Sequence, residues 1–408
     1  MSLVDLAAHT ADFNADPYPF YAALREMGPV HRVVLDGART WLVVGHDEAR
    51  QALSHPDLSK NWLGSELFGH TPDHAAATNM LEADPPHHTR LRRLVAREFT
   101  ARRVESLRPR VQRITDELLD AMAARPDRRA DLIRSLAFPL PMTVICELLG
   151  VPNLDRERFR FWSGEIVAPA EGGGADGRAV QQMTAYLREL VEAKAKDPGE
   201  DLLSALIRTL PDGPDGSGGA DIEDGDQLSP DELIGMAFLL LVAGHETTVN
   251  LIGNGVRALL AHPDQLAALR ADPDGLIDGA VEEMLRYDGP VQHATYRFAR
   301  TDLEIGGVRI PAGSSVLVAL AAADRDPARF AEPRPEVFDI RRAGPSHVAF
   351  GHGIHFCLGA PLARMEGRIA IRGLLERFPD LAEDPDADPG VWLSGTLMRG
   401  VTRLPLRW

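Results

Sequence analysis

The chain has 408 residues, of which 44% are hydrophobic and 25% are charged, and its formal net charge is −16. This is an ordinary globular composition, and the negative charge argues against nonspecific binding to nucleic acid, which needs clustered Lys and Arg. Two cysteines, Cys146 and Cys357, cannot form a disulfide framework, so we expect a reducing compartment.

The N-terminal residues do not resemble a signal peptide, because no basic stretch precedes an apolar run there. The most apolar internal stretch, MAFLLLVAG at 236–244, is too short to span a bilayer. We therefore expect a cytoplasmic protein with no membrane segment. We also expect a monomer with no nucleic-acid partner.

The stretch from Arg90 to Arg113 departs from the average charge. It contains nine arginines and only two acidic residues, Glu98 and Glu105, which gives a local excess of seven positive charges. A solvated charged face and a docking surface for an acidic partner both fit this pattern.

Helical patterns predominate elsewhere. Apolar residues recur every three or four positions at 104–124, 177–195 and 280–288, whereas WLVV at 41–44 and SSVLVALAA at 314–322 are typical of short strands. Residues 211–229 are rich in Gly, Pro and Asp, and we interpret them as an internal surface loop, since neither flank carries a complete domain signature. The sequence therefore predicts one domain, 1–408, that is mainly α with small β-sheets (α+β).

A long helix is predicted to follow that loop. Ser229, Pro230 and Glu232 form the pattern of a capping box, and nothing interrupts the helix until about His262. At 1.5 Å per residue, some thirty residues make a rod of roughly 45 Å, and its apolar middle predicts burial on all sides.

Polar residues interrupt the middle of this helix at AGHETT, residues 243–248. Ala243 and Thr247 share a face, so a bulky flat group could approach the backbone there. A packing kink with a solvated Glu246 is the alternative. A zinc-protease pattern is excluded, because Val249 stands where the second histidine is required.

The stretch FGHGIHFCLG at 350–359 places Cys357 directly before a helical segment. At a helix N-terminus, free N–H groups and the helix dipole favour a thiolate, and the glycines of the loop permit a tight turn. A structural zinc site formed by His352, His355 and Cys357 is the competing interpretation, but it lacks a credible fourth ligand.

Phe350 to Gly359 resemble the haem-binding signature of the cytochrome P450 superfamily, with phenylalanine, glycine, cysteine and glycine at the family spacing. The resemblance implies the cytochrome P450 fold, haem b as the cofactor, and Cys357 as the axial thiolate and metal ligand of the iron. It also implies that Phe350 packs by the haem ring.

The polar interruption of the long helix is similar to the oxygen-activation motif of the same family. The resemblance implies that Ala243 lies by the haem and that Glu246 and Thr247 are the catalytic acid and alcohol pair.

Glu283 and Arg286 resemble the structural ExxR pair of the family. Many relatives complete this ion network with an arginine at a position that holds Val337 here. Arg325 and Arg341 are the candidate substitutes.

Four positions resemble the residues that bind the haem propionates in the family. They are His88 and Arg92 in DPPHHTRLRR, Arg297 in YRFA, and His355 beside the cysteine. Buried propionates need cations or hydrogen-bond donors, which these side chains supply.

The resemblance implies a monooxygenase that inserts one oxygen atom of O2 into a C–H bond. The chain has no GxGxxG after a strand and no GxxxxGK, so we expect electrons from a ferredoxin and an NAD(P)H-dependent ferredoxin reductase. The basic stretch at 90–113, together with Arg364, Arg368 and Arg372, is the candidate ferredoxin surface.

Within the family, the chain most resembles actinomycete macrolide and polyketide hydroxylases of the pikromycin hydroxylase type, nearly end to end. This implies a bulky apolar small molecule as substrate, with a steroid or vitamin D-like terpenoid as the alternative. Glu82 matches an acidic residue that binds a sugar amine in that group, whereas residues 63–78 diverge, so binding of an aminosugar stays open. Candidate pocket residues lie at 62–82, 162–185 and 393–399.

Two other classes stay open: a haem-thiolate binding protein without turnover, and a peroxygenase that uses hydrogen peroxide directly. The first would need no acid and alcohol pair, and the second has usually lost the threonine that this chain keeps at Thr247.

Overall fold

The computed structural model describes residues 4–5, 10–35, 38–61, 74–152, 156–167, 177–210, 227–344 and 346–408. Most of the loop predicted at 211–229, and parts of the candidate pocket segments at 62–82 and 162–185, lie outside these residues. Within them, helices predominate and strands are short, which confirms the predicted mainly α fold with small β-sheets.

The α-helices of the described chain include the three predicted from apolar periodicity, at α6, α9 and α13. In chain order they are α1 (Thr10–Ala15), α2 (Tyr18–Met27), α3 (His46–Ser54), α4 (His74–Ala77), α5 (His87–Ala96), α6 (Ala101–Ala123), α7 (Pro139–Leu149), α8 (Arg156–Val167), α9 (Arg178–Lys196), α10 (Leu202–Ile207), α11 (Pro230–Ala261), α12 (Pro263–Ala271), α13 (Pro273–Asp288), α14 (Leu320–Ala323) and α15 (Ala360–Arg377).

The strands form sheets with the orders β1-β2-β3-β9-β6-β4, β10-β11-β5 and β7-β8 among the described residues. In the largest sheet β1 pairs with β2 and β3 with β9 in parallel, while its other neighbours are antiparallel. The strands are β1 (Val4–Asp5), β2 (Val30–Leu35), β3 (Ala38–Val43), β4 (Leu58–Ser59), β5 (Arg129–Asp131), β6 (Arg297–Ala299), β7 (Leu303–Ile305), β8 (Val308–Ile310), β9 (Ser315–Val318), β10 (Ala382–Glu383) and β11 (Pro405–Arg407).

Strand β9 is buried on both faces of its sheet. Val316 and Val318 pack in one hydrophobic cluster, whereas Leu317 packs in another. Successive side chains of a strand point to opposite faces, so a strand covered on both sides has an unbroken apolar sequence instead of an alternating one. The apolar run VLV therefore forms a strand without a polar alternation. The strand predicted at 314–322 is wrong beyond Val318, because Leu320–Ala323 form α14.

The cap of the long helix α11 is confirmed. The backbone N–H of Ser229 donates to Glu232 Oε2 at 2.7 Å, and the N–H of Glu232 donates to Ser229 Oγ at 3.2 Å. These reciprocal bonds satisfy two N–H groups that an uncapped helix leaves free. The helix then runs for 32 residues.

The middle of α11 differs from the prediction of burial on all sides. Ala243 is exposed, and Glu246 and Thr247 are partly exposed, between turns that are largely buried. These residues belong to the stretch 243–248 that the sequence analysis assigned to the approach of a bulky flat group.

Helix α11 is long and apolar enough to cross a membrane, although residues 236–244 alone are not. The stretch that passes this test is 61% buried inside the protein. Burial of this kind is typical of a core helix, and a core helix passes the same test of length and composition.

Contacts divide the chain into two compact units. Unit 1 comprises Met1–Ser59, Arg108–Leu140 and Thr247–Trp408, and it contains the three sheets. Unit 2 comprises Lys60–Leu107 and Pro141–Glu246, and its described elements are helices.

A buried carboxyl group lies between two helices of unit 1. Glu366 on α15 is 1% exposed; Thr248 on α11 is hydrogen-bonded to it, but its Oε2 atom has no hydrogen-bond partner among the described residues. Burial raises the pKa of Glu366 to about 8, and the hydrogen bond with Thr248 offsets this only partly. At neutral pH the side chain is therefore a carboxylic acid.

We expect the titration of Glu366 to make unfolding depend on pH. The raised pKa stabilises the fold fully below pH 4.5, the unperturbed value, and this contribution is lost as the pH rises through about 8. Each pH unit in that interval removes about 1.4 kcal/mol from the free energy of unfolding. Glu366→Gln, which cannot titrate, should flatten this decline in urea denaturation series.

The exposed Glu376 lies on the same helix, and Glu376→Gln is the matched control. Equal pH slopes for wild type and Glu366→Gln would show that the buried group does not take up the proton.

Candidate functional site

The loop that carries Cys357 is held by its own backbone. The N–H of Cys357 donates to the carbonyl oxygen of Phe350 at 2.9 Å, directly before α15 begins at Ala360. Gly351 and Gly353 have φ values of +75° and +74°, in the left-handed region that favours glycine. The loop therefore turns back on itself and presents an exposed thiol at the N-terminus of a helix.

Apolar side chains surround this thiol. The rings of Phe350 and Phe356 lie 6.3 Å apart, and Phe356 and Ile354 are 41% and 49% exposed. The guanidinium of Arg364 lies 4.5 Å from the ring centre of Phe350 and fixes its orientation. A single sulfur donor within an apolar surface suits a flat apolar group that carries its own other metal ligands, as a haem does.

Two further predicted residues lie in unit 1. Arg297 on β6 is 4% exposed, and its Nη1 donates to the carbonyl oxygen of Thr295 at 3.1 Å. His355 ends the short 3₁₀ turn Gly353–His355, two residues before the cysteine. A buried guanidinium is a donor group that suits the oxygen atoms of an anionic partner.

The predicted pair in unit 2 lies on one helix face. His88 and Arg92 are four residues apart on α5, and His88 is 2% exposed. Burial, together with the positive charge of Arg92, holds the pKa of His88 below its usual range. A neutral imidazole with one N–H beside a guanidinium is a donor set that fits a carboxylate.

The acid predicted on α11 is held in its ionised form. Burial works to raise the pKa of Glu246, but the hydrogen bond and charge of His245, the hydroxyl of Ser163 and the charge of Arg160 together lower it. Close packing explains the neighbouring glycine, because a Cβ atom on Gly244 would lie 2.9 Å from the side chain of Ile145.

A buried ion network lies behind the cysteine loop in unit 1. Arg286 donates to both carboxylate oxygens of Glu283, at 2.7 and 2.8 Å. Arg342 donates to the same carboxylate at 3.1 and 3.2 Å, and the N–H of Asp339 donates to it at 2.9 Å.

Arg342 is thus the arginine that the sequence analysis could not identify. The sequence analysis named Arg325 and Arg341 as candidates for this third member of the ion network, but Arg342 is the residue that binds Glu283. The backbone carbonyl oxygen of Val337 accepts hydrogen bonds from both Arg286 and Arg342. Arg325 instead donates to the carbonyl oxygen of Tyr287.

A buried aspartate connects this network with the cysteine loop. The carbonyl oxygen of Asp324 accepts from Arg286 at 3.0 Å, and its carboxylate accepts from the N–H of Val348 at 2.7 Å. Burial raises the pKa of Asp324 to about 6 despite opposing effects of His347, Val348 and Arg286.

The arginines of α15 form ion pairs with α13. Arg364 contacts Glu282 at 2.6 Å, Arg368 contacts Asp278 at 2.7 Å, and Arg372 contacts Asp274. Their positive charges are balanced by these acids. For these three arginines the structure therefore favours a surface whose charges are already paired over a basic patch that docks an acidic partner.

The structure describes all nine predicted site residues. Thr247, Arg297, Phe350, His355 and Cys357 lie in unit 1, and His88, Arg92, Ala243 and Glu246 lie in unit 2. Within the described chain, no three His, Cys, Asp or Glu side chains form a metal site. The residues that the sequence analysis missed are Arg342 and Ser163.

Arg342→Ala should destabilise the protein by roughly 3 kcal/mol, because the buried carboxylate of Glu283 loses one of its two cations. Urea denaturation followed by circular dichroism measures this loss. Arg341→Ala is the matched control, since Arg341 is adjacent and exposed. Equal stability of the two variants would contradict the assignment of Arg342 to the network.

Comparison with known proteins gives matches over the whole chain. It is 57% identical over 407 residues to the cytochrome P450 monooxygenase PikC of Streptomyces venezuelae, covering 100% of this chain and 94% of that protein. It is 47% identical to the 6-deoxyerythronolide B hydroxylase of Saccharopolyspora erythraea, covering 97% and 96% of the two chains.

A solved structure shows the same architecture. The tirandamycin C-bound P450 monooxygenase TamI superposes with a TM-score of 0.87 at 44% identity, over 99% of both chains. The sequence model of the family described as Cytochrome P450 matches residues 9–159 and 175–391. The chain therefore belongs to the cytochrome P450 family and is a haem b monooxygenase with the cytochrome P450 fold.

Proposed function

We propose that this monooxygenase hydroxylates a C–H bond of a macrolide or another polyketide. The observation that carries the proposal is the similarity, over 97% of this chain, to a protein named as a hydroxylase of 6-deoxyerythronolide B. We further propose one catalytic domain, 1–408, since the family match includes residues of both units.

We propose that Cys357 binds the haem iron and that Phe350 and Ala243 lie against the ring. The exposed thiol at the start of α15, with apolar residues around it, supports this. His88, Arg92, Arg297 and His355 are the proposed partners of the propionates, because guanidinium and imidazole N–H groups donate hydrogen bonds to carboxylates.

When bound, the haem supplies the chemistry of O2, and the protein supplies position and protons. Glu246 and Thr247 are the proposed acid and alcohol. The carboxylate of Glu246 takes up a proton at its oxygen and passes it on, while the hydroxyl of Thr247 both donates and accepts hydrogen bonds. Their adjacent positions on α11 and partial exposure support these roles.

We propose a ferredoxin and an NAD(P)H-dependent reductase as the electron donors, since the chain contains no dinucleotide motif. The basic stretch at 90–113 is the proposed docking surface. Arg90 and Arg103 form ion pairs with Glu232 and Glu98. The side chains of Arg93, Arg97, Arg102 and Arg103 are exposed. We also propose that the protein is a cytoplasmic monomer.

Thr247→Ala should keep haem binding but lower the amount of product formed per NAD(P)H by tenfold or more, because proton delivery is lost. The missing reducing equivalents should appear as hydrogen peroxide. Product, NAD(P)H and peroxide are measured together with a surrogate ferredoxin and reductase.

Thr247→Ser, which keeps the hydroxyl, is the control and should retain most of the coupling. Unchanged coupling in Thr247→Ala would remove this residue from the mechanism.

The substrate proposal is tested by spectral titration of the ferric protein. Macrolides and their aglycones should shift the haem absorption band at lower concentration than steroids or vitamin D. If Glu82 contacts an amine, Glu82→Gln should weaken binding of an aminosugar macrolide and leave its aglycone unaffected. Tighter binding of the steroid class would reject the macrolide assignment.

A further inference from the structure

The aromatic ring of Phe350 has two polar neighbours in unit 1. The guanidinium of Arg364 on α15 lies 4.5 Å from the ring centre, and the centre of the imidazole ring of His347 lies 5.9 Å from it. Both neighbours also contact one carboxylate, which belongs to Glu282 on α13. The surroundings of the ring therefore depend on a residue of a second helix.

The carboxylate of Glu282 binds Arg364 through both of its oxygen atoms. Arg364 Nε donates to Oε1 at 2.6 Å, and Nη2 donates to Oε2 at 2.8 Å. His347 Nε2 lies 3.3 Å from the same Oε2. A two-pronged contact fixes the orientation of a guanidinium as well as its distance, so Glu282 determines how Arg364 lies over the ring of Phe350.

Glu282 is ionised at neutral pH. Burial works to raise its pKa, but Arg364 and His347 together lower it to about 2. Both hydrogen bonds from Arg364 therefore join a cation to an anion, and bonds of this kind are stronger than those between neutral groups.

The backbone of Phe350 connects this ion pair with the cysteine. The carbonyl oxygen of Phe350 accepts a hydrogen bond from the N–H of Cys357 at 2.9 Å. A displacement of Phe350 therefore also displaces the acceptor of this N–H group. The ion pair thus reaches Cys357 through one aromatic ring and one backbone hydrogen bond.

The exposure of the ion pair limits what it contributes to stability. The side chains of Glu282 and Arg364 are 43% and 28% exposed. Water screens an ion pair at such a position, so the pair contributes little to the free energy of unfolding. The orientation of Phe350 is the larger consequence of this contact.

We propose that Glu282 and Arg364 are positioning residues that hold Phe350, and through it Cys357, in the arrangement that binds the haem iron. The proposal rests on the proposed function and deepens it, because it names residues that act on the proposed ligand from outside the cysteine loop. It also gives Arg364 a role that involves no ferredoxin.

The ring of Phe350 belongs to the apolar surface around Cys357, where it lies 6.3 Å from the ring of Phe356. If the ring of Phe350 moves, water reaches the sulfur atom and can supply the proton that converts a thiolate ligand into a thiol. Water also stabilises the reduced state of the haem, which carries one more negative charge than the oxidised state. Loss of the ion pair should therefore raise the reduction potential.

Two conservative variants disturb the ion pair. Arg364→Lys keeps the positive charge but loses the planar, two-pronged contact, and Glu282→Gln keeps the size of the side chain but loses its charge. Arg372→Lys is the matched control, because Arg372 lies on the same helix and is paired with Asp274 of α13.

Two properties of the purified haem protein are measured, without substrate and without ferredoxin. We expect the reduction potential to be higher in Arg364→Lys and Glu282→Gln than in the wild type. We expect the ferrous carbon monoxide complex of Arg364→Lys to lose the absorption band of a thiolate ligand roughly tenfold faster, because one contact between a cation and a ring is lost. Arg372→Lys should equal the wild type in both properties.

Both changes are required of Arg364→Lys, and the absence of either would overturn the proposal. Equal changes in Arg364→Lys and Arg372→Lys would also overturn it, because the effect would then belong to any arginine of α15. Urea denaturation separates positioning from stability. We expect nearly the wild-type urea midpoint for Arg364→Lys, and a loss of stability that accounts for both changes would assign the pair a purely structural role.

Cys357→Ser separates this proposal from the assignment of the ligand. If Cys357→Ser keeps the thiolate band, the proposed ligand falls. If the band needs Cys357 but Arg364→Lys behaves as the wild type, the positioning role alone falls. If the variants change as expected but no macrolide or steroid is hydroxylated, the positioning role stands and the proposed substrate falls.

Discussion

The buried carboxylate of Glu283 is the interaction on which the ligand loop depends. It binds Arg286 through a two-pronged contact and Arg342 through a second one, with all three side chains almost completely buried. Two cations around one anion leave a net positive charge, and the backbone carbonyl oxygens of Pro333, Pro335 and Val337 share it. Because each partner is costly to bury alone, the irregular segment at 333–342 is held in one arrangement. Arg286 extends this constraint to Asp324, whose carboxylate fixes Val348 at the entrance of the cysteine loop.

Local patterns were sufficient to predict the elements that depend on neighbours in sequence. The capping box of α11 and the glycine turns before Cys357 are both of this kind. Arg342 escaped prediction because its partner, Glu283, is 59 residues away in sequence. Ser163 carried no signal for a similar reason, since it is 82 residues from His245 and serine is common on helices.

The ion pairs between α13 and α15 show a different limit of sequence analysis. Acidic residues recur every four positions at 274, 278 and 282, and arginines do so at 364, 368 and 372. Both periodicities were visible, but only the antiparallel packing of the two helices pairs the first of one series with the last of the other. A row of arginines predicts a basic surface only when no acidic row lies beside it.

Glu246 on α11 and Glu366, which is hydrogen-bonded to Thr248 of α11, show that surroundings, and not residue type, decide the role of a buried carboxyl group. Interactions with His245, Ser163 and Arg160 hold the pKa of Glu246 below its usual range. Among the described residues, Glu366 has only the hydroxyl of Thr248 to offset its burial and keeps its proton at neutral pH. A carboxyl group can exchange protons rapidly near neutral pH only if both of its forms are accessible. Glu366 meets that condition in its pKa but is buried without a charged partner, so its ionisation weakens the fold. Glu246 avoids this cost because its carboxylate accepts a hydrogen bond from Ser163 and stays partly exposed. Polar neighbours therefore keep the pKa of Glu246 low at a position of the helix where the carboxylate is partly exposed.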